Sequence, residues 1–338
     1  MLLQKALVVV PTLNEALHIE ECLRSLLADL PEGLQVECVV ADGGSTDGTQ
    51  AIVEGLGSEF PNLSLLHNPD RLQSAAINLA VSVKSDETYR VLIRCDAHAS
   101  YPAGFITNLI AVLINSGAAS VVVPMDAQGT TAFGQAAAYV VDSKIGSGGS
   151  RHRGGRESGY VDHGHHAAFD LDWFRKVGGY DITFSHNEDA EYDHRLAQAG
   201  GKIWLEASVR IGYFMRPTLR GLARQYLSYG AGRARTISKH GLRPRLRQLI
   251  PVLNFLSLGF CLTLGILWPV FWLWPSLYCI LLASFGSLAA FGIGRLSGLW
   301  AAPALFVIHN MWAIGFLRSF WRHNRTDNNQ PLVASTRD

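Results

Sequence analysis

Between Arg247 and Arg295 the chain runs for 47 residues without Asp, Glu, Lys or Arg, and between Arg295 and Arg318 for another 22. A helix crossing the hydrocarbon core of a bilayer needs ~20 predominantly apolar residues, so the first run has room for two spans and the second for one. The charge balance changes at the same place. Residues 1–240 carry 21 Lys+Arg against 26 Asp+Glu, a net of −5, whereas residues 241–338 carry eight Arg against Asp327 and Asp338, a net of +6. The organisation expected is a domain at 1–240 with basic helices at its end, a membrane region at 241–325 with two to three apolar helices, and a polar tail at 326–338.

Trp268-Pro269 and Trp272-Leu273-Trp274-Pro275 divide the long run near 249–267 and 276–294, as interfacial tryptophans in a hairpin turn do. The third segment, about 299–317, carries His309 and Asn310 near its middle. Three full spans starting in the cytoplasm leave Arg318, Arg322 and Arg325 outside, against the tendency of basic residues to stay inside. Either this segment lies in the interface or the rule yields. The stretch Arg216–Arg247 reads as helical and basic, a juxtamembrane collar facing anionic lipid, with Arg220, Arg224, Arg233, Arg235, Arg243 and Arg245.

The first 125 residues alternate short apolar runs with helix-period stretches. Ala6–Val10, Val36–Ala41, Leu63–Leu66, Val91–Arg94 and Ala118–Val123 read as buried strands. Stripes through Ile19–Leu30, Ala75–Val83 and Phe105–Leu113 read as helices. That alternation predicts an open, mostly parallel α/β sheet. From about Phe133 to Tyr160 the pattern weakens, and Gly146–Arg156 reads as a Gly-rich cationic loop containing Arg151, His152, Arg153 and Arg156. Two readings fit that loop, a lid that meets a diphosphate and a solvated charge run. Helices are expected over Asp170–Val177 and about Asp189–Ala199. Five scattered cysteines without a C-x-x-C fit a reduced compartment. Met1–Val10 runs straight into an apolar stretch and reads as a first strand and not a signal peptide.

Four polar clusters fall at predicted carboxyl ends of strands or at a helix start, where open α/β sheets place their ligand crevice. They are Pro11-Thr12-Leu13-Asn14-Glu15, Asp42-Gly43-Gly44-Ser45-Thr46-Asp47-Gly48, Asp96-Ala97-His98 and Asn187-Glu188-Asp189. Carboxylates repel a phosphate but bind one through a bridging divalent ion. That makes Asp96 a candidate ligand for Mg²⁺ or Mn²⁺, with His98 beside it for Mn²⁺.

Taken in order, these clusters resemble the signature series of family 2 inverting glycosyltransferases. The resemblance covers residues 6–200. It implies a GT-A fold, a Rossmann-like nucleotide-sugar-binding mixed sheet with helices on both faces, followed here by the membrane-embedded helical region. It also implies a nucleotide-sugar donor, a divalent metal and inversion at the anomeric carbon. Carried over, Pro11, Asn14, Glu15 and Asp42 line the uridine pocket, and Ser45 and Asp47 belong to the donor-binding set. Arg71, Asn78 and Asp96 make further donor contacts, and Asp96 and His98 face the metal. Asp189, with Glu188 beside it, is the base that deprotonates the acceptor hydroxyl. Many relatives have Asp-x-Asp where this chain has Asp96-Ala97-His98, which weakens the case for a second carboxylate ligand.

Tyr160-Val161-Asp162-His163-Gly164-His165-His166-Ala167-Ala168-Phe169 suggests zinc at first sight. A strand turns alternate side chains to opposite faces and no Cys joins them, so an acceptor wall of Tyr160, His163 and His165 is the expectation. With Ser185–Glu191, this segment resembles a narrower group, the succinoglycan-biosynthesis glucosyltransferases of the ExoA type. That implies UDP-glucose as donor and a polyprenyl-diphosphate-linked saccharide as acceptor, in exopolysaccharide biosynthesis. Gln225-Tyr226-Leu227-Ser228-Tyr229-Gly230 sits where processive synthases carry Gln-x-x-Arg-Trp. Losing Arg-Trp favours one sugar per encounter, with Gln225 and Tyr229 either touching the acceptor or packing a helix.

The expected setting is the cytoplasmic face of a bacterial inner membrane, multi-pass, with other polysaccharide-assembly enzymes as further partners. Two alternatives stay open, a polyprenyl-phosphate glycosyltransferase of the dolichol-phosphate-sugar synthase type and a nucleotide-binding membrane scaffold without turnover. An oxidoreductase lacks G-x-G-x-x-G after strand one. Nucleic acid is not an expected partner, because the basic residues concentrate beside the apolar segments.

Overall fold

A computed structural model describes residues 5–149, 153 and 155–327. Arg151, His152 and Gly154 of the Gly-rich loop, and the tail from 328 on, lie outside the described residues.

Apolar β-branched runs form the strands β1 (Lys5–Thr12), β2 (Gln35–Asp42), β3 (Leu63–His67), β4 (Tyr89–Arg94), β5 (Ala99–Ser100), β6 (Ser120–Val123), β7 (Met125–Gln128), β8 (Gly159–Val161), β9 (His165–Asp170), β10 (Ile203–Leu205) and β11 (Ile211–Phe214). Eight of them make one sheet in the order β3-β2-β1-β4-β9-β6-β10-β8, and β5-β11-β7 make a second. The first four are parallel, β9 runs antiparallel between β4 and β6, and β8 is antiparallel on β10. The sheet is therefore mixed.

Helices of the first unit are α1 (Ile19–Leu27), α2 (Thr49–Gly57), α3 (Gln73–Lys84) and α4 (Phe105–Ser116). After α5 (Ala132–Asp142) come α6 (Lys144–Ser147), α7 (Leu171–Lys176) and α8 (Glu188–Gln198). Leu7, Val9, Val39, Ala41 and Leu92 share a buried cluster with Ile77 and Ala80 of α3, Phe174 of α7 and Tyr192 of α8. Ala6, Val8 and Val10 point the other way and are equally buried, so both faces of β1 are covered. Every apolar position on a central strand has a use, which is why these strands read as continuous apolar runs.

The chain divides into two compact units, 1–128 with 141–214, and 129–140 with 215–338. The second holds most of α5, then α9 (Leu219–His240), α10 (Leu246–Leu264), α11 (Leu273–Ile293) and α12 (Ala301–Asp327). Three segments of this unit are long and apolar enough to cross a membrane, Leu246–Leu264, Pro269–Ile293 and Leu296–Arg322.

Several expectations are corrected. Arg216–Arg247 is not one helix, because Gly241 ends α9 in the left-handed region at φ +61° and α10 starts afresh. The weak stretch after Phe133 holds α5, whose small Ala136 and Ala137 are fully buried. Helix α2, not foreseen, follows Gly48 at φ +99°. Tyr160–Phe169 is not a single strand, since β8 and β9 sit at different places in the sheet. The break falls at Gly164, where a Cβ would lie 2.5 Å from Val122.

Candidate active site

The ends of β1 and β2 are laced to each other by side chains of the first two motifs. Asn14 takes a left-handed φ of +58°, a conformation asparagine tolerates. Its Oδ1 accepts from the Thr46 amide at 2.9 Å, while its own amide donates to Ser45 Oγ at 2.8 Å. The Glu15 amide donates to Thr49 Oγ1, and that of Ala16 to Asp47 Oδ2. Pro11 is paired in register with Ala41. At the centre, the buried Asp42 carboxylate accepts from the amides of Gly44 and Ser45, from Ser45 Oγ, from Gln50 Nε2 and from Thr12 Oγ1. Burial alone would raise its carboxyl, but these donors, Ser45 first, hold it below the ordinary value. Arg71 is exposed at φ +57° with its guanidinium beside Gly44.

Beyond β4 lies a buried ion network built on a residue that motif reasoning missed. Arg94, 4% exposed, places Nη1 2.6 Å from Asp189 Oδ1, Nη2 3.8 Å from Glu188 Oε1 and Nε 3.7 Å from Asp96 Oδ1. Tyr180 joins it, with its hydroxyl donating to Asp189 Oδ1 at 2.7 Å and its ring lying under the guanidinium. A signal was present, since an arginine inside the apolar run Val91-Leu92-Ile93-Arg94 has to find buried acids.

Glu188 and Asp189 open α8 behind Asn187, itself left-handed at φ +67°, so both sit at the positive end of the helix. Burial would raise both carboxyls. For Asp189 the Arg94 guanidinium wins and holds it well below the carboxylate range, with His166, His165 and Tyr180 adding to the effect. For Glu188, burial and the neighbouring Asp189 charge win, and its carboxyl is pushed up to about 7.

Asp96 is held from all sides. Tyr101 OH accepts from its amide at 2.6 Å and donates to its carbonyl at 2.9 Å. Its Oδ1 accepts from Gln73 Nε2 at 2.7 Å, and its Oδ2 lies 3.7 Å from His165 Nε2. His165 arrives there because antiparallel β9 begins beside the end of β4. Burial lowers the His165 imidazole to about 4, leaving it neutral with a lone pair to offer. The Nδ1 of His98 faces Glu15 Oε1 at 2.9 Å. Among the described residues no three His, Cys, Asp or Glu side chains are grouped to hold an ion by themselves. One carboxylate with a neutral imidazole beside it does fit an ion whose remaining ligands are substrate oxygens and water.

The other expected residues fall elsewhere. His163 and His166 do not converge with His165; their Nδ1 and Nε2 lie 2.5 Å from the two oxygens of buried Asp193. Tyr160 is on edge strand β8, stacked edge-on against Trp204 and donating to the Ser116 carbonyl. Asn78 clamps the backbone of Tyr180, donating to its carbonyl and accepting from its amide. Gln225 and Tyr229, one turn apart on α9 in the second unit, bond to each other at 2.9 Å.

Comparison with known proteins bears on the family and the fold. The model of "Glycosyl transferase family 2" matches residues 7–178. The succinoglycan biosynthesis protein ExoA of Rhizobium meliloti is 41% identical over 314 residues, 93% of this chain and 94% of that protein. A dolichyl N-acetyl-α-D-glucosaminyl phosphate 3-β-D-2,3-diacetamido-2,3-dideoxy-β-D-glucuronosyltransferase of Methanococcus voltae is 23% identical over 244 residues, 69% of this chain and 74% of its own. Among solved structures, a mannosyltransferase of Pyrobaculum calidifontis in complex with GDP-Man and Mn²⁺ superposes with a TM-score of 0.58 at 20% identity, covering 94% of this chain and 87% of that one. The shared fold is GT-A. A family match over half the chain, together with a relative of such identity and coverage, settles the matter: the chain belongs to glycosyl transferase family 2 and is a glycosyltransferase.

Proposed function

We propose that this glycosyltransferase moves glucose from UDP-glucose, with inversion, onto a saccharide carried on a polyprenyl diphosphate during succinoglycan-type exopolysaccharide assembly. It works at the cytoplasmic face of a bacterial inner membrane, beside other polysaccharide-assembly enzymes. The observation that carries the reading is the convergence of Asp96, Glu188 and Asp189 on Arg94, at the sheet end where the Asn14 and Asp42 loops meet. The ExoA relative supports the pathway, and the archaeal relative named for a dolichyl-linked sugar phosphate supports a lipid-linked saccharide as acceptor.

Pro11, Asn14, Glu15, Ser45 and Asp47 shape the nucleoside pocket, largely by holding the two loops together. Asp42 accepts from the nucleoside once Gln50 or Ser45 swings off its saturated carboxylate. Arg71 lies where a donor phosphate passes. Asp96, with His165 and His98 near it, would hold Mg²⁺ or Mn²⁺, and that ion neutralises the diphosphate charge when bound. Asp189 Oδ1 is committed to Arg94 and Tyr180, which leaves Oδ2 to take the acceptor hydroxyl's proton. Its low proton affinity keeps it ionised and ready. The proton transfers as the hydroxyl oxygen bonds to C1, the C1–phosphate bond breaks, and the electron pair leaves with UDP. His163, Tyr160, Gln225 and Tyr229 are assigned no contact with the reacting atoms.

The test is nucleotide release by the full chain in nanodiscs, across UDP- and GDP-sugars with Mg²⁺ or Mn²⁺ and with EDTA. UDP release from UDP-glucose that needs the glycosylated lipid, and falls by roughly 10²–10⁴ in Asp189→Asn, supports the reading. Turnover on bare polyprenyl phosphate assigns the enzyme to that acceptor instead. Binding without turnover on any pair makes it a scaffold.

A further inference from the structure

The segment leading from α7 to the base begins with two glycines in the left-handed region, Gly178 at φ +81° and Gly179 at φ +66°. Glycine takes this backbone readily but brings the most conformational freedom of any residue, so contacts from elsewhere must hold the chain still. Two side chains do so. Arg195 of α8, paired with the buried Glu191, donates to the carbonyls of Val177 and Gly179. Asn78 of α3 takes over at Tyr180. Its Nδ2 donates to the Tyr180 carbonyl at 2.7 Å and its Oδ1 accepts from the Tyr180 amide at 2.9 Å. One side-chain amide thus satisfies both backbone groups of one residue, as a neighbouring strand would. The fit is close, since a Cβ at Gly179 would lie 2.6 Å from Asn78 Oδ1. Ser74, one turn earlier on the same face of α3, donates to the Phe184 carbonyl at 3.3 Å, so α3 grips both ends of 180–184.

What Asn78 holds is the residue that orients the base. Tyr180 is fully buried, its ring packed among Tyr192, Phe174 and Phe169 with centroids 5.3, 5.8 and 6.0 Å away. The aromatic cluster fixes the direction of the side chain and Asn78 fixes its root. Arg94 Nη1 lies 3.1 Å from the Tyr180 hydroxyl and can only donate to it. The single hydroxyl proton therefore goes to Asp189 Oδ1 at 2.7 Å. Arg94 Nη1 reaches the same oxygen at 2.6 Å, so the carboxylate cannot turn without giving up two donors. A general base has to present its accepting oxygen within hydrogen-bond reach of the proton it removes. Misplacement by ~1 Å can cost about 10²-fold in rate.

We infer that Asn78 is a positioning residue for Asp189, acting through the backbone and hydroxyl of Tyr180, and that it does not touch the donor. The family resemblance counts Asn78 among donor contacts, yet the carbonyl and the amide of its side chain are both engaged by Tyr180. The inference rests on Asp189 being the base, as proposed above.

The test is steady-state nucleotide release by the full chain in nanodiscs, with the donor and acceptor that wild type turns over, for Asn78→Ala, Tyr180→Phe and the double variant. Tyr180→Phe keeps the ring and the backbone clamp and removes only the hydroxyl. Its kcat should fall by roughly 10–100-fold, the worth of one hydrogen bond to a charged group. Asn78→Ala should lower kcat by roughly 10-fold while the donor KM stays within about twofold of wild type. In the Tyr180→Phe background the same change should cost less than about twofold more, because the hydroxyl it positions is already gone. A raised donor KM with kcat kept makes Asn78 a donor contact and overturns the inference. Unchanged kcat, or losses that multiply in the double variant, overturn it as well. Should Asn78→Ala fail to fold, Asn78→Asp keeps the bond from the Tyr180 amide, sets an acceptor against the Tyr180 carbonyl, and is expected to give the same split in the same cycle. Full turnover by Asp189→Asn, or none by wild type on any pair, would instead defeat the assignment of the base itself.

Discussion

Replacing Arg94 by Met should be the most damaging single change in the first unit. The guanidinium is 4% exposed and faces three carboxylates at 2.6, 3.7 and 3.8 Å. Methionine keeps most of the volume and none of the charge, so the loss is electrostatic. Removing one partner of a buried pair typically costs about 3–5 kcal/mol, because the remaining charge stays uncompensated. For a domain of this size each kcal/mol shifts Tm by about 2–4 °C, which puts the expected fall at about 6–20 °C.

The pH dependence carries a sign. In the native chain Asp189 lies below its unfolded value, so its contribution is present above that value and is lost as the pH falls through the folded one. Without Arg94, burial outweighs the smaller effects of His166, His165 and Tyr180 and raises the carboxyls, so the variant loses stability as the pH rises through the raised values. Thermal unfolding of the detergent-held chain between about pH 5 and pH 8 therefore separates wild type from Arg94→Met most at the alkaline end. A fall below about 1 kcal/mol, or one equal at every pH, would refute the claim that Arg94 compensates buried carboxylates.

Glu188→Gln should act in the opposite sense. The folded chain holds the Glu188 proton up to about 7 against an ordinary 4.5, so wild type loses stability as the pH rises across that window. The Gln variant should match wild type near the low end of the window and exceed it above the high end, as read by Tm; a constant difference counts against the assignment. Tyr101→Phe strands the buried amide of Asp96, whose carbonyl keeps the Ala99 amide, a loss of about 1–3 kcal/mol, and should raise the metal concentration needed for half-maximal turnover. Unchanged metal activation would leave Tyr101 a purely structural residue. Gly230→Ala forces a methyl to within 2.0 Å of the Trp312 carbonyl and should lower Tm through a cost of about 1–3 kcal/mol or more, whereas Gly259→Ala on α10, with nothing within 4 Å, should be silent.

The parallel half of the sheet is legible in the sequence because its strands are buried on both faces and read as unbroken apolar runs. What escapes is structure whose pattern is set by tertiary context. Helix α5 hides in a Gly-dense stretch because its buried positions are alanines, which carry little signal of their own. The strands β5, β7 and β11 are too short to show a period. The histidine segment misleads for a related reason. Alternation within one strand was a sound premise, but the chain turns at Gly164 and sends His163 and His166 to a shared carboxylate, Asp193, contributed by α8. A distant acid that claims two histidines leaves no mark on the histidines' own spacing.

The site was legible where polar residues break an apolar strand end, and opaque where one such residue compensates others. The departure at His98 shows how far the two can be joined. A second aspartate at this position, as in many relatives, would bring a carboxylate up to Glu15, whose Oε1 is 2.9 Å from His98 Nδ1. Like charges that close are unfavourable unless a cation lies between them. Histidine turns the same contact into an attraction, and it does so while Asp96 finds a different imidazole, His165, at 3.7 Å from the antiparallel strand next door. The loss of the second acid is thus coupled to Glu15 on one side and to the start of β9 on the other. His98→Asp should therefore weaken the β1 loop through Glu15 and be relieved by Glu15→Gln. A double-mutant cycle in thermal stability that comes out additive would break that coupling and leave the Asp96-Ala97-His98 sequence without a structural reason.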